Sequence, residues 1–421
     1  MRLELEISEI TELTFGAATG FADGHLQLNP SDLKEQLADD RRLGMLEVDV
    51  VQPGERARVC RVFDAFEPRA KIGEGENFPG VLGRLALAGG GRTRALKGAA
   101  VVVTDQLTTG VGAVIDMLGP AAAYTPFAHM HNLVVSAQPA AGVSQQLYQS
   151  AIRLAGLKTA VCLAQLSCQK APNTVEVYEL PPVSQIPPAS QHLPRVAYIF
   201  QIHSHQRPTG LEEGILYGDN VRRLVPTVLH PNEILDGAVI RGFSNRNATT
   251  YALQNHPVIR DLYRRHGKDI WFAGVVVTVA QATEPERVRS ALVTASLVKH
   301  VLGADGAIFT KMGGGAPHVD MAQAAEQCER LGVKTVVLAE EMSTDGTSEG
   351  ALLFNFPHMD AVVNLGNSQA PLHLPAVARV IGIPWDTQAR QLAAGALEAR
   401  VGMICGAVEQ VGASQLTATA I

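Results

Sequence analysis

Apolar positions give the two halves of this chain different textures. In the first hundred residues they alternate with polar ones, as in LELEIS at 3–8, HLQLN at 25–29 and LEVDVVQP at 46–53. A period of two marks strands with one buried face, so this region reads as β-rich. SDLKEQLADD at 31–40 predicts a short helix with Ser31 as its N-cap. In the second half the apolar runs are nearly continuous: RVAYIFQI (195–202), IWFAGVVVTVA (270–280), ADGAIFT (304–310), KTVVLAEE (334–341) and DAVVNLG (360–366). Strands covered on both faces look like this. Helical segments at 256–266, 284–302 and 317–332 separate most of them. Buried strands alternating with helices predict a parallel sheet with right-handed crossovers, and ligands of such sheets bind at the carboxyl ends of the strands.

Between the halves, AAVVVT (99–104) and NLVVSA (132–137) read as strands. Leu147, Ala151 and Leu154 give residues 143–155 a helical spacing, with Gly156 placed to end the helix. The apolar run around Val161 and Leu163 suits either a strand or more helix. Residues 73–98 are Gly-rich, and 173–194 are rich in Pro and Ser, as a linker would be. The expected fold class is therefore α/β: a β-rich N-terminal region (1–98), an α/β segment (99–172), a linker (173–194), a parallel-sheet Rossmann-like domain with flanking helices (195–385) and a C-terminal helical segment (386–421).

Charge narrows the function classes. A net charge of −6 and a pI near 6.1 over 421 residues disfavour a nucleic-acid binder, which would show a basic stripe. The opening MRLELEISEI has no basic stretch leading into an apolar core, so no signal peptide is expected. Apolar runs stop short of membrane-spanning length, so no membrane association is expected either. Five scattered cysteines without a CxxC fit reduced thiols in a cytoplasmic protein.

Three groups of residues suit chemistry. The loop KMGGGAPHVD (311–320) follows a strand and opens a helix, so Gly313, Gly314 and Gly315 allow close backbone approach and the free amides attract an anion such as a substrate carboxylate. Asp320, and Glu340 at the end of the next strand, face the same rim. Two His-x-His pairs, His129/His131 and His203/His205, would each share one face of an extended segment and together suit zinc or another divalent metal. The stretch 229–251, with His230, Glu233, Arg241 and Arg246, reads as a polar loop.

Three stretches resemble a known family: EPRAK…NFPG…GRTRALKGAAVVVT (67–104), VIDMLGPAAAYTPF (114–127) and LDGAVIRG…TTYALQNHPVIRDLYRRHGKDI (235–270). LGADGAIFTKMGGGAPHVD, GVKTVVLAEE and DAVVNLGN continue the match in order. They resemble the component B proprotein of the glycine, sarcosine and betaine reductases, with the D-proline reductase proprotein as a more distant relative. The resemblance implies an internal cleavage in a Gly-Asn-Cys context that turns the cysteine into a pyruvoyl group. That carbonyl condenses with a substrate amine and draws electrons from the Cα–N bond. A selenocysteine (or cysteine) on a partner subunit then attacks Cα. The chain would thus work in a hetero-oligomer on a small amino acid or betaine. Here Gly242–Phe243–Ser244 stands in place of Gly-Asn-Cys. Ser244 holds the position of the cysteine, and a serine hydroxyl supports the same sequence of attack on the preceding carbonyl, elimination and hydrolysis. Thr249, Thr250 and Tyr251 would shape its loop. Two other readings stand beside this one: an uncleaved, metal-dependent enzyme using the histidine pairs, and a non-catalytic scaffold subunit.

Overall fold

In the computed structural model of the chain, residues 1–202, 214–242, 248–341 and 360–412 are described in full, and 417–419 through their backbone. The five apolar runs of the second half become the parallel centre of a seven-stranded sheet. Its order is Thr227–Leu229, Trp271–Val279, Arg195–Ile202, Gly306–Lys311, Lys334–Glu341, Ala361–Asn367 and Thr417–Thr419, with the two outer strands antiparallel. Alternation along one strand serves both faces. Tyr198, Phe200 and Ile202 pack towards the helix Pro257–Arg265, where Ile259 and Leu262 are buried. Ala197 and Ile199 pack on the other side with Ala291, Ala295, Met321 and Ala325, from the helices Glu284–Ser296 and Ala316–Arg330. Chain order along the sheet reverses between Arg195–Ile202 and Gly306–Lys311. Connections leaving these two strands run in opposite directions, which opens a crevice at their carboxyl ends.

The first half forms two four-stranded mixed sheets. One is ordered Thr174–Glu179, Arg2–Glu9, Gly91–Lys97 and Arg69–Ile72; the other Leu43–Val51, His131–Pro139, Ala99–Asp105 and Val62–Phe66. The helix Gln145–Gln165 buries Tyr148, Ile152 and Leu163 in one core with Phe66, Val101 and Val103.

Several local expectations need correction. Asn29, not Ser31, caps the first helix: its side chain accepts the Ser31 N–H at 3.0 Å, and Pro30 takes the first helical position. Gly156 does not end its helix, which runs on through Val161 and Leu163 to Gln165. A Cβ at 156 would lie 2.4 Å from the Phe66 ring, so glycine is there to let helix and sheet approach. Residues Thr174–Glu179 of the Pro/Ser-rich stretch are a strand pairing with Arg2–Glu9. Among the described residues the C-terminal segment holds one α-helix, Thr387–Ala394, and a 3-10 turn at Val401–Met403. Leu397–Arg400 pairs with Pro371–Leu374, and Arg379–Ile381 returns to the N-terminal half to pair with Ala57–Val59. There the fully buried Arg58 binds both oxygens of Asp116, at 2.6 and 2.9 Å, and donates to Ala393 O at 2.6 Å. No helix among the described residues is long and apolar enough to cross a membrane.

Candidate functional site

Ser244 lies outside the described residues, within 243–247, but both flanks of that segment are fixed. Thr249 caps the short helix Thr250–Gln254, accepting the Ala252 N–H at 3.1 Å. Its own N–H and hydroxyl both donate to Glu409, at 3.1 and 3.0 Å. The N–H and hydroxyl of Thr250 donate in the same way to Asp64, at 2.9 and 2.7 Å. Both carboxylates are buried, Asp64 completely. Burial pushes the Glu409 carboxyl up to about 7, against the pull of its two bonds to Thr249 and of nearby Arg241. Arg241, on the upstream flank, comes within 4.0 Å of Asp64, and Arg153 within 3.8 Å. Both guanidinium groups lie over the Phe63 ring, at 5.4 and 5.1 Å from its centre.

The stretches quoted for the family resemblance converge on this helix. Glu67 N–H donates to Gln254 Oε1 at 2.9 Å, and Gln254 Nε2 returns a bond to Glu67 O at 3.1 Å. Arg69 reaches Leu235 O at 2.7 Å and Asn255 Oδ1 at 3.2 Å. Asp236 gathers Gly89 N–H, the Thr93 hydroxyl and the Lys71 ammonium. Tyr251 packs edge-on against Phe127, 5.2 Å between ring centres, and burial pushes its phenol well above the usual range. Thr249, Thr250 and Tyr251 therefore brace the segment through three different parts of the chain.

Gln410, next to Glu409 in sequence, reaches the sheet's rim. Its Oε1 accepts Gly313 N–H at 2.6 Å, and its Nε2 donates to Glu340 Oε1 at 2.9 Å. Gly313 and Glu340, expected from the sequence to share a rim, are thus joined. Gly313 and Gly315 both take positive φ, and Gly315 precedes the helix Ala316–Arg330. Lys311, the last residue of its strand, is buried and donates to Gly313 O at 2.8 Å. Burial brings its ammonium down to about 8, with Glu340 opposing. Burial, then Lys311, lowers His318 to about 3. Asp320 looks elsewhere along the rim: Gln281 N–H donates to it at 2.5 Å, Arg287 lies 3.7 Å away, and burial raises it to about 6.

Of the two histidine pairs, only His129 and His131 lie within the described residues. His131 sits on its strand with Nδ1 at 2.5 Å from Gln52 Oε1, His129 is exposed, and His203 and His205 lie outside the described residues. Among the described residues no three His, Cys, Asp or Glu side chains converge as metal ligands would. Cys60 and Cys328 are buried, and burial raises both thiols to about 12, so neither supplies a thiolate near neutral pH.

Asp64, Arg153, Glu409 and Gln410 were not visible as site residues in the sequence. Lys311 did carry a signal, as a lone lysine ending an apolar strand.

The profile of the family described as glycine/sarcosine/betaine reductase component B subunits matches residues 1–417. The chain is 34% identical to the glycine reductase complex component B subunits alpha and beta of Acetoanaerobium sticklandii, over 99% of both proteins. It is 34% identical to the sarcosine reductase complex component B subunit alpha of Peptoclostridium acidaminophilum, over 91% of this chain and 90% of that protein. The betaine reductase complex component B subunit alpha of the same organism is 35% identical, over 91% and 88%. No solved structure matches. The chain belongs to the family of glycine/sarcosine/betaine reductase component B subunits.

Proposed function

We propose that this chain is the substrate-activating subunit of a reductive C–N-cleaving complex acting on a small amino acid or betaine. The observation that carries the reading is the bracing of both flanks of residues 243–247 by Asp64 and Glu409, next to the crevice at the carboxyl ends of the sheet. A pyruvoyl group derived from Ser244 is compatible with the fixed flanks of the segment. Thr249 and Thr250, on the downstream side of a Phe243–Ser244 cut, keep their bonds to Glu409 and Asp64 whether or not the chain is cut. Arg241, on the upstream side, stays beside Asp64. Two relatives also carry a name that assigns an alpha and a beta subunit to one chain, as internal scission would produce.

A pyruvoyl carbonyl would supply an electron sink for the C–N bond of a primary or secondary amine, whereas a quaternary nitrogen such as betaine's is already cationic and leaves without it. This chain's own residues hold the flanks of the segment and place Gly313, Gly314, Gly315 and Glu340 at the rim that would receive the substrate. The attacking selenol or thiol belongs to a partner subunit in the cytoplasm: a bond from its selenium or sulfur to Cα forms as the C–N bond breaks and the amine leaves.

The test uses the chain purified with its partner, supplied with a dithiol reductant and glycine, sarcosine or betaine in turn. Release of ammonia, methylamine or trimethylamine from one of them is expected, and Ser244→Ala should abolish it. Unchanged release in Ser244→Ala would remove Ser244 from the mechanism. Release from none of the three would contradict the reading.

A further inference from the structure

Buried cations in this protein follow one habit. Arg58 pairs with Asp116, Arg61 with Asp386, Arg69 with Glu67 and Arg94 with Glu6, while Arg153 and Arg241 lie within 4.0 Å of Asp64. Lys311 is the exception. It is 1% exposed, yet no carboxylate oxygen among the described residues comes within ion-pair distance of its ammonium. One of its three N–H donors is used, by Gly313 O. A buried cation is costly without an anionic partner, so a fold that pairs all its other buried cations among the described residues marks this one.

The position of Lys311 completes the argument. It ends the strand Gly306–Lys311 at the point where the order of the sheet reverses, which is where such sheets bind ligands. The first-turn amides of the fifteen-residue helix Ala316–Arg330 begin five residues later and add partial positive charge. Glu340, which raises the affinity of the ammonium for its proton, is itself occupied by Gln410.

We propose that Lys311 is the binding residue for the substrate's carboxylate. The inference rests on the reductase reading and deepens it. Glycine, sarcosine and betaine differ only in methylation at nitrogen and share one carboxylate. A cation fixed at the crevice reads the shared group and leaves the nitrogen free to vary.

Two measurements test the assignment. In the complex with its partner, Lys311→Met should raise KM for the turned-over substrate by about tenfold or more, as loss of a charge-assisted bond does, with a smaller change in kcat. Lys311→Arg, which keeps the charge, should recover part of the loss. A KM within about twofold of wild type in a folded, active Lys311→Met complex would overturn the role of Lys311 and leave the reductase reading standing. Independently of turnover, cyanate carbamylation of Lys311, followed by peptide mass spectrometry, should slow in the presence of glycine and not of glycinamide. Equal rates with both would overturn the proposal, whereas a wild-type complex without turnover on any of the three substrates would overturn the reading beneath it.

Discussion

The helix Thr250–Gln254 and the strand end at Lys311 lie on either side of Glu409 and Gln410, yet they treat buried charge in opposite ways. Around the helix, Asp64 accepts three N–H or O–H donors at 2.7–2.9 Å and has two guanidinium groups within 4.0 Å. At the strand end, a buried ammonium has a single carbonyl among the described residues. A saturated network fixes geometry because breaking any part of it strands a buried charge. An under-coordinated cation instead leaves binding capacity for something that arrives later. The first arrangement suits a segment that must stay in place through scission, and the second suits a substrate.

Substitutions can break this contrast. The largest effect is expected at Asp64: Asp64→Ala removes the carboxylate beside two buried guanidinium groups and the acceptor of both Thr250 donors, and should cost about 3 kcal/mol or more in urea unfolding. A loss under about 1 kcal/mol would show that the network does not hold the segment.

Glu409→Gln sharpens the comparison through pH. The folded carboxyl sits at about 7, above its ordinary value of 4.5, so between those values the folded state keeps a proton that the unfolded state has lost. The stabilising contribution is therefore complete below about 4.5 and lost as pH rises through about 7. Glutamine has no such loss, so the stability of Glu409→Gln relative to wild type should rise between pH 5 and pH 8, on the order of 2 kcal/mol. A difference that stays flat with pH would contradict the raised value.

Lys311→Met is expected to have the opposite sign to Asp64→Ala. Removing a buried cation without a carboxylate should raise stability at pH 7 by about 1 kcal/mol, while binding suffers. Destabilisation would mean that the ammonium serves the fold. The smallest effect is expected for Tyr251→Leu, which loses the edge contact with Phe127: about 1 kcal/mol in unfolding, with no change in which substrate is used.

Legibility in the sequence followed the range of the interaction. The five strands of the parallel sheet could be read because burial on both faces writes itself into consecutive residues such as Val275, Val276 and Val277. Gly156 misled because its reason is the Phe66 ring, ninety residues away. The C-terminal tail misled for a similar reason: its Ala-rich composition suits a helix, but its strand Leu397–Arg400 is specified by its partner at Pro371–Leu374. At the site, Gly313 and Glu340 were readable as the ends of neighbouring strands. Asp64 and Glu409 were not, because a carboxylate 186 residues before Thr250 and another 160 after Thr249 leave no local pattern. Of the His-x-His pairs, His131 is held by Gln52, a partner 79 residues away that the local pattern could not show.

The central claim is that this chain carries its chemistry at Ser244. Denaturing intact-mass spectrometry on protein co-expressed with its partner tests it most directly. The account predicts two fragments meeting at Phe243/Ser244, the second blocked at its N-terminus, with masses summing to the uncut chain plus water minus ammonia. A single uncut chain in an active complex would contradict it.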